Sequence, residues 1–255
     1  DWNNMENTNV IKNRFGLVGK NISYSFSKGY FTQKFSSLNL VNNSYENFDL
    51  QHITEFEDLI KSQNDLKGLN VTIPYKEAII PYLDKVDHKA AKIGAVNTIK
   101  FTEEGLIGFN TDVFGFQDSI EPHLKKHHKK ALILGTGGAS KAVAFVFKEL
   151  GIAYTFISRN QGSNQLSYEE LNQSIVAEHT ILVNCTPLGT SPNIMDKPSL
   201  PYEFLTDRHL LFDLIYNPEK TAFLKEGEAH GALILNGHKM LAIQAEKAWE
   251  IWNSE

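Results

Sequence analysis

The chain has 255 residues, 42% of them hydrophobic and 22% charged, with a formal net charge of -5. That composition suits a globular chain able to bury a sizeable core, in one large or two smaller domains, rather than a disordered, fibrous or membrane class. The negative balance offers no electrostatic basis for a nucleic-acid partner, and the single cysteine, Cys185, permits no intramolecular disulfide.

No apolar stretch approaches the roughly 18 residues of a membrane-spanning helix, and residues 1–9 are polar with no signal-peptide core. A cytoplasmic protein without a membrane partner is expected. The nine histidines include no His-Glu-x-x-His, and His127 and His128 would point in different directions on a helix, so no metal site is expected. The basic run at residues 125–130 reads as a solvated helix end or linker rather than a phosphate patch.

In chain order, strand patterns occur at residues 15–18, 44–48, 68–72, 131–134, 154–157, 181–184, 210–215 and 232–235, with helical patterns between most of them. The alternation predicts an α/β fold. Thr54-Glu55-Phe56-Glu57 has capping-box spacing ahead of Leu59 and Ile60, predicting a helix start there. Residues 98–101 and 106–109 flank a Glu103-Glu104-Gly105 turn and read as a hairpin. Residues 113–124 read as a connecting helix with Phe114, Ile120 and Leu124 available for packing, which puts a domain boundary nearby. Residues 238–252 form an amphipathic pattern with Leu241, Ala245, Ala248 and Trp252 on one face, a helix able to return to the first domain. The expected organisation is two domains with a cleft between them: residues 1–112 plus 238–255, and residues 113–237.

The apolar run at 131–134 leads straight into Gly135-Thr136-Gly137-Gly138-Ala139-Ser140 and then a helical stretch ending at Gly151. Strand, glycine turn and helix in that order make a dinucleotide site: Gly135 permits the turn, Gly137 lets backbone approach a pyrophosphate, and the helix start presents free N–H groups to the anion. Ser140 takes the close-packing position. A glycine turn with no ligand is the alternative. The next strand narrows the choice, because Ser158-Arg159-Asn160 follows it where an NAD site would place a carboxylate. Arg159 suits a 2′-phosphate, so NADP is favoured as cofactor.

Candidates for chemistry lie in the first block: Ser25 and Ser27 in a polar turn, Lys76 after Thr72-Ile73-Pro74-Tyr75, Asn97, and Asp112. Singly they are unremarkable, Lys76 as a solvated helix-start lysine and Asp112 as a helix N-cap. Together with the glycine turn they fall into ordered motifs: Gly19 through Ser27 with its Ser-x-Ser, Gly68 through Lys76, Gly94-Ala95-Val96-Asn97-Thr98, Gly108-Phe109-Asn110-Thr111-Asp112, Gly135 through Ser140, Asn184-Cys185-Thr186-Pro187, Asp213 through Pro218, and Gly237 through Ala245. On these motifs the chain resembles the shikimate dehydrogenase family over nearly its whole length.

That resemblance implies an N-terminal α/β substrate domain, a Rossmann-like NADP-binding domain, and reversible NADPH-dependent reduction of 3-dehydroshikimate to shikimate. Lys76 and Asp112 correspond to the family's catalytic pair, a combination suited to handling a proton. Ser25, Ser27, Thr72, Asn97, Tyr216 and Gln244 match substrate-contacting positions. Gly135, Thr136, Gly137, Gly138 and Ala139 are assigned to the pyrophosphate, Ser158, Arg159 and Asn160 to the adenosine ribose and its phosphate, and Thr186, Leu214 and Gly237 to the nicotinamide half. Cys185 beside them reads as a small buried thiol, and Met240 as cofactor wall or helix packing. The chain departs from the family at Tyr24 and Lys28, around Ser-x-Ser, at His88, and at Gln161-Gly162-Ser163, where a second basic residue often follows Arg159. Quinate oxidation with NAD, or a non-catalytic dinucleotide-binding protein, are the alternatives; a monomer or homodimer is expected.

Overall fold

The structure is a computed structural model. It describes residues 10, 13–160 and 162–255; the polar N-terminal stretch at 1–9 and Gln161 lie outside the described residues. The chain divides into two compact units, the first taking the described residues up to Lys92 with Val96–Phe109 and Ala248–Glu255, the second Ile93–Ala95 with Asn110–Lys247.

The first unit's sheet contains β1 (Asn13–Gly19), β2 (Asn43–Asp49), β3 (Leu66–Val71), β4 (Lys85–Val86), β5 (Thr98–Thr102) and β6 (Gly105–Phe109), in the order β2-β1-β3-β5-β6-β4. β1 pairs in parallel with β2 and β3, whereas β5 is antiparallel to β3 and β6. The predicted hairpin is β5–β6. Alternation sends Val18, Leu69, Val71 and Ile99 to one face, where they meet Phe56 and Ile79. Phe15 on the other face packs against Phe35 of helix α1 (Phe26–Ser37) and against Trp249 and Trp252. Gly68 is required here, since a Cβ would overlap the Trp252 indole, whose Nε1 donates to Ile99 O at 3.0 Å.

Helix α2 (Phe56–Ser62) starts later than the sequence pattern suggests. A 3-10 turn over Ile53–Glu55 precedes it, with the capping box formed by His52 and Glu55 rather than Thr54 and Glu57. The Glu55 carboxylate accepts the His52 N–H at 2.6 Å, which places Thr54 inside the turn. Helix α3 (His88–Ile93) follows.

The second unit opens with helix α4 (Asp112–Ile120), shorter than the expected 113–124 because a 3-10 turn over Glu121–His123, carrying Pro122, ends it. Its deepest residues are Val113, Phe116 and Ile120, with Phe114 and Leu124 only partly buried. The sheet comprises β7 (Lys130–Leu134), β8 (Ala153–Ile157), β9 (Gln165–Leu166), β10 (Ile181–Asn184), β11 (Leu210–Asp213) and β12 (Leu233–Leu235), in the order β12-β11-β10-β7-β8-β9 and all parallel. The expected strand at 210–215 stops at Asp213 because the Ile215 N–H turns back to that carboxylate.

The central strands of this sheet are covered on both faces, which is why β7, β10 and β11 read as apolar runs. Ala131, Ile133, Val183 and Phe212 meet α4 and helix α5 (Gly138–Glu149); Leu132, Leu134, Leu182 and Leu211 meet helices α6 (Gln173–Glu178) and α7 (Ala222–Ala229). Helix α8 (His238–Asn253) begins in this unit, where Met240 is buried and its backbone lies so close to Gly115 of α4 that a Cβ there would overlap it. Met240 therefore packs against α4.

His127 and His128 precede β7 in a turn, not a helix, and their rings lie 4.2 Å apart with both Nε2 atoms on Arg208 O. The expectation that they diverge is corrected, and so is the fully solvated reading of this run, because His128 is buried. Among the described residues no helix is long and apolar enough to cross a membrane.

Candidate active site

In the first unit the expected residues gather at the carboxyl ends of the parallel strands β1 and β3. Thr72 follows β3, its N–H donating to Val18 O at 2.9 Å, and its methyl lies so close to Gly19 that a Cβ there would overlap it. Asn97 is buried and its carbonyl accepts the Val71 N–H at 2.8 Å. Lys76 is half-buried in a turn rather than at a helix start, and its carbonyl accepts from Val96 N–H at 2.8 Å.

Ser25 caps α1: its Oγ accepts the Lys28 N–H at 3.4 Å and donates to Asn47 Oδ1 at 2.9 Å. Ser27, in the first turn of α1, is buried and hydrogen-bonds the Tyr45 hydroxyl. From there a polar line crosses the sheet. Tyr45 donates to Asn70 Oδ1 at 2.7 Å, Asn70 Nδ2 donates to Thr98 Oγ1 at 3.2 Å, and Thr98 Oγ1 donates to Asn97 Oδ1 at 3.1 Å. Burial drives the Tyr45 pKa upward, so the phenol stays a donor.

In the second unit the strand order is 3-2-1-4-5-6 when its strands are counted from β7, and the order reverses between β7 and β10. That reversal is where open parallel sheets bind nucleotides. The turn from β7 to α5 lies there. Gly135 has φ +101°, outside the range of ordinary side chains, and its N–H donates to Ile157 O at 2.9 Å. A Cβ at Gly135 would come within 3.2 Å of Thr186, while one at Gly137 would meet nothing, so the backbone there is open to a ligand. Gly138 begins α5 and Ser140 is buried with its Oγ on Gly137 O, the close-packing role expected for it. Thr136 is exposed.

After β8, Ser158 Oγ accepts the Asn160 N–H at 3.3 Å and Arg159 is exposed. Thr186 follows β10 and Leu214 follows β11. Gly237 sits against Leu214 so tightly that a Cβ would overlap its backbone, and the Gly237 N–H donates to Ile215 O at 3.0 Å. Gly135, Thr186, Leu214 and Gly237 thus converge at one end of the sheet. Cys185 is partly buried against the core.

Asp112 is buried as the first residue of α4, with Thr111 rather than Asp112 at the N-cap position. Thr111 Oγ1 donates to Gln244 Oε1 at 3.3 Å, which ties the buried Gln244 to the start of α4. Tyr216 is half-buried and its pKa is raised by that burial. Lys76 belongs to the first unit and Asp112 to the second.

The residues without an expected role are those that hold the others: Tyr45, Asn70 and Thr98 in the first unit, and Asn184, Asp213 and Thr221 in the second. Asn184 and Asp213 carried a signal, each being the polar last residue of an apolar parallel strand.

Residues 17–99 match the model of the shikimate dehydrogenase substrate binding domain. The chain is 37% identical over 248 residues to the shikimate dehydrogenase (NADP(+)) of Clostridium botulinum, covering 93% of this chain and 95% of that one. A crystal structure of a shikimate dehydrogenase from Peptoclostridium difficile matches with TM-score 0.82 and 37% identity, covering 94% of this chain and 91% of the other. The Thermus thermophilus shikimate 5-dehydrogenase, solved in complex with NADP(H) and shikimate, matches with TM-score 0.82 and 32% identity over 94% of this chain and 93% of the other. Likeness of this extent along both sequence and structure places the chain in the shikimate dehydrogenase family.

Proposed function

We propose that this chain catalyses the reversible NADPH-dependent reduction of 3-dehydroshikimate to shikimate. The observation that carries the cofactor half is the glycine turn at the strand-order reversal, with Gly137 open to approach and Arg159 at the end of the next strand. The substrate follows from membership of the family and from the Thermus thermophilus relative, which was solved with shikimate. Quinate with NAD, and a non-catalytic binding role, are not favoured.

In this reading the second unit holds NADP, and the first supplies Ser25, Ser27, Thr72, Asn97 and Lys76 to the substrate. Gly135, Thr136, Gly137, Gly138 and Ala139 would face the pyrophosphate, with the α5 N-terminus contributing N–H groups. Ser158, Arg159 and Asn160 would take the adenosine ribose and 2′-phosphate, and Thr186, Leu214 and Gly237 the nicotinamide half. NADP supplies the hydride acceptor for shikimate oxidation, and NADPH the donor for the reverse.

The protein's own part is orientation and proton transfer. Ser25 and Ser27 present hydroxyls to the substrate carboxylate, and Thr72, Asn97, Tyr216 and Gln244 present neutral polar groups to the ring hydroxyls. Lys76 and Asp112 exchange a proton with the oxygen that alternates between hydroxyl and carbonyl. All these residues belong to one chain, so the assignment holds for a monomer or a homodimer, and a cytoplasmic setting goes with it. Purified protein mixed with shikimate and NADP+ tests the reading: nicotinamide absorbance should rise, and cofactor binding without any rise would overturn it.

A further inference from the structure

Strands β10 and β11 lie side by side, and their last residues, Asn184 and Asp213, are in register and fully buried. Asp213 Oδ1 accepts from Asn184 Nδ2 at 3.2 Å and from the Ile215 N–H at 3.0 Å, while Oδ2 accepts from Thr221 Oγ1 at 2.6 Å. Asn184 Oδ1 accepts from the N–H and the hydroxyl of Thr186, at 3.0 and 2.7 Å, and its Nδ2 also reaches Leu188 O at 3.3 Å. One carboxylate therefore grips the loop after β11 directly and the loop after β10 through Asn184. Thr221 caps α7 with the same hydroxyl, accepting the Leu224 N–H at 3.3 Å, so the far end of the β11 loop is fixed as well.

A carboxyl group at this depth is costly, and its pKa is pushed up to about 6 by burial against three opposing hydrogen bonds. The surrounding strand ends are apolar, and an aliphatic side chain would fill the same space without that cost. What an aliphatic residue could not do is hold two loops at once. Ile215 is held at both of its backbone groups, its N–H by Asp213 and its carbonyl by Gly237. The arrangement thus reaches Thr186, Leu214 and Gly237 together.

We propose that Asp213 is a positioning residue that, through Asn184 and the Ile215 N–H, sets the two loops carrying Thr186 and Leu214 to Tyr216. The inference rests on the reading of those loops as facing NADP and substrate. It assigns Asp213 no contact with either.

Three variants of the full chain test it: Asp213→Ala, Asp213→Asn and Asn184→Ala. Hydrogen–deuterium exchange of residues 185–188 and 214–217 is read without ligand, and NADP affinity, kcat and KM are read separately. Asp213→Ala should speed exchange in both loops by about tenfold or more and weaken NADP binding by a similar factor. Asp213→Asn should return each quantity to within about threefold of the parent, since its Oδ1 keeps two bonds and its Nδ2 can donate to Thr221. Asn184→Ala should loosen 185–188 and leave 214–217 unchanged. Native exchange in both loops of Asp213→Ala, or an Asp213→Asn protein as impaired as the alanine variant, would overturn the proposal. Should Asp213→Ala not fold, the Asn184→Ala pattern decides, with unchanged exchange at 185–188 counting against it. A parent protein that binds NADP without oxidising shikimate would remove the functional reading, while the exchange data would still judge the role of Asp213.

Discussion

The phenol of Tyr45 donates a 2.7 Å hydrogen bond to Asn70 Oδ1 across the first unit's sheet, and on its other side meets the hydroxyl of Ser27. Helix α1, which Ser25 caps and which carries Ser27, is thereby fixed to β3, the strand that leads into Thr72. Tyr45→Phe removes the donor and leaves the Asn70 oxygen buried without it, at a cost of about 1–3 kcal/mol. Urea denaturation should show that loss, and KM for shikimate should rise more than kcat falls. Native stability together with native KM would refute the link.

Lys76→Ala should lose most turnover while keeping shikimate affinity, because the proposed role is proton transfer and not the bulk of binding. Isothermal titration with shikimate beside steady-state rates separates the two. Unchanged turnover would remove Lys76 from the mechanism.

Arg159 is exposed at the end of β8, close enough to Tyr168 for its charge to lower that tyrosine's pKa against the larger effect of burial. Arg159→Ala should raise KM for NADP by roughly tenfold or more, the range of a lost charge-assisted hydrogen bond, and leave KM for NAD nearly unchanged. Equal effects on both cofactors would argue against a 2′-phosphate contact.

Two histidines of the second unit make stability depend on pH. His128 Nδ1 accepts the Lys125 N–H at 2.9 Å and His209 Nδ1 accepts the Thr206 N–H at 3.0 Å, so protonation at Nδ1 would set two donors against each other. Burial, with neighbouring His127, Arg208 and, for His128, Lys125, lowers both pKa values from 6.5. The unfolded chain then binds these protons more readily: their contribution is whole above 6.5 and is lost as pH falls through the folded values. Asp213, its pKa raised from 3.8 to about 6, acts with the opposite sign, stabilising most below 3.8 and losing that contribution as pH rises through its folded value. A difference measurement is therefore needed. The urea-derived stability of the parent minus that of His209→Gln should be largest near pH 8 and shrink towards pH 5. A pH-independent difference would contradict the assignment.

The sheet of the second unit was legible because strands covered on both faces read as apolar runs, as in β7 and β10. β4 and β9, two residues each, leave no periodicity to read. Thr54–Glu57 and His52–Glu55 share the capping-box spacing, and only the folded turn selects His52 and Glu55. Gly135 and Arg159 were visible because a turn and a strand end are local events. Tyr45 with Asn70, 25 residues apart, and Asn184 with Asp213, 29 apart, acquire their roles only when parallel strands bring them together. Composition and spacing carry no record of such pairs.

Steady-state rates with shikimate and with quinate, each in the presence of NADP and of NAD, separate the proposed reaction from its alternatives. The proposed activity predicts that shikimate with NADP gives the highest kcat/KM of the four, with quinate poorly used. Highest activity with quinate and NAD, or none with any pair from protein that binds NADP, would contradict it.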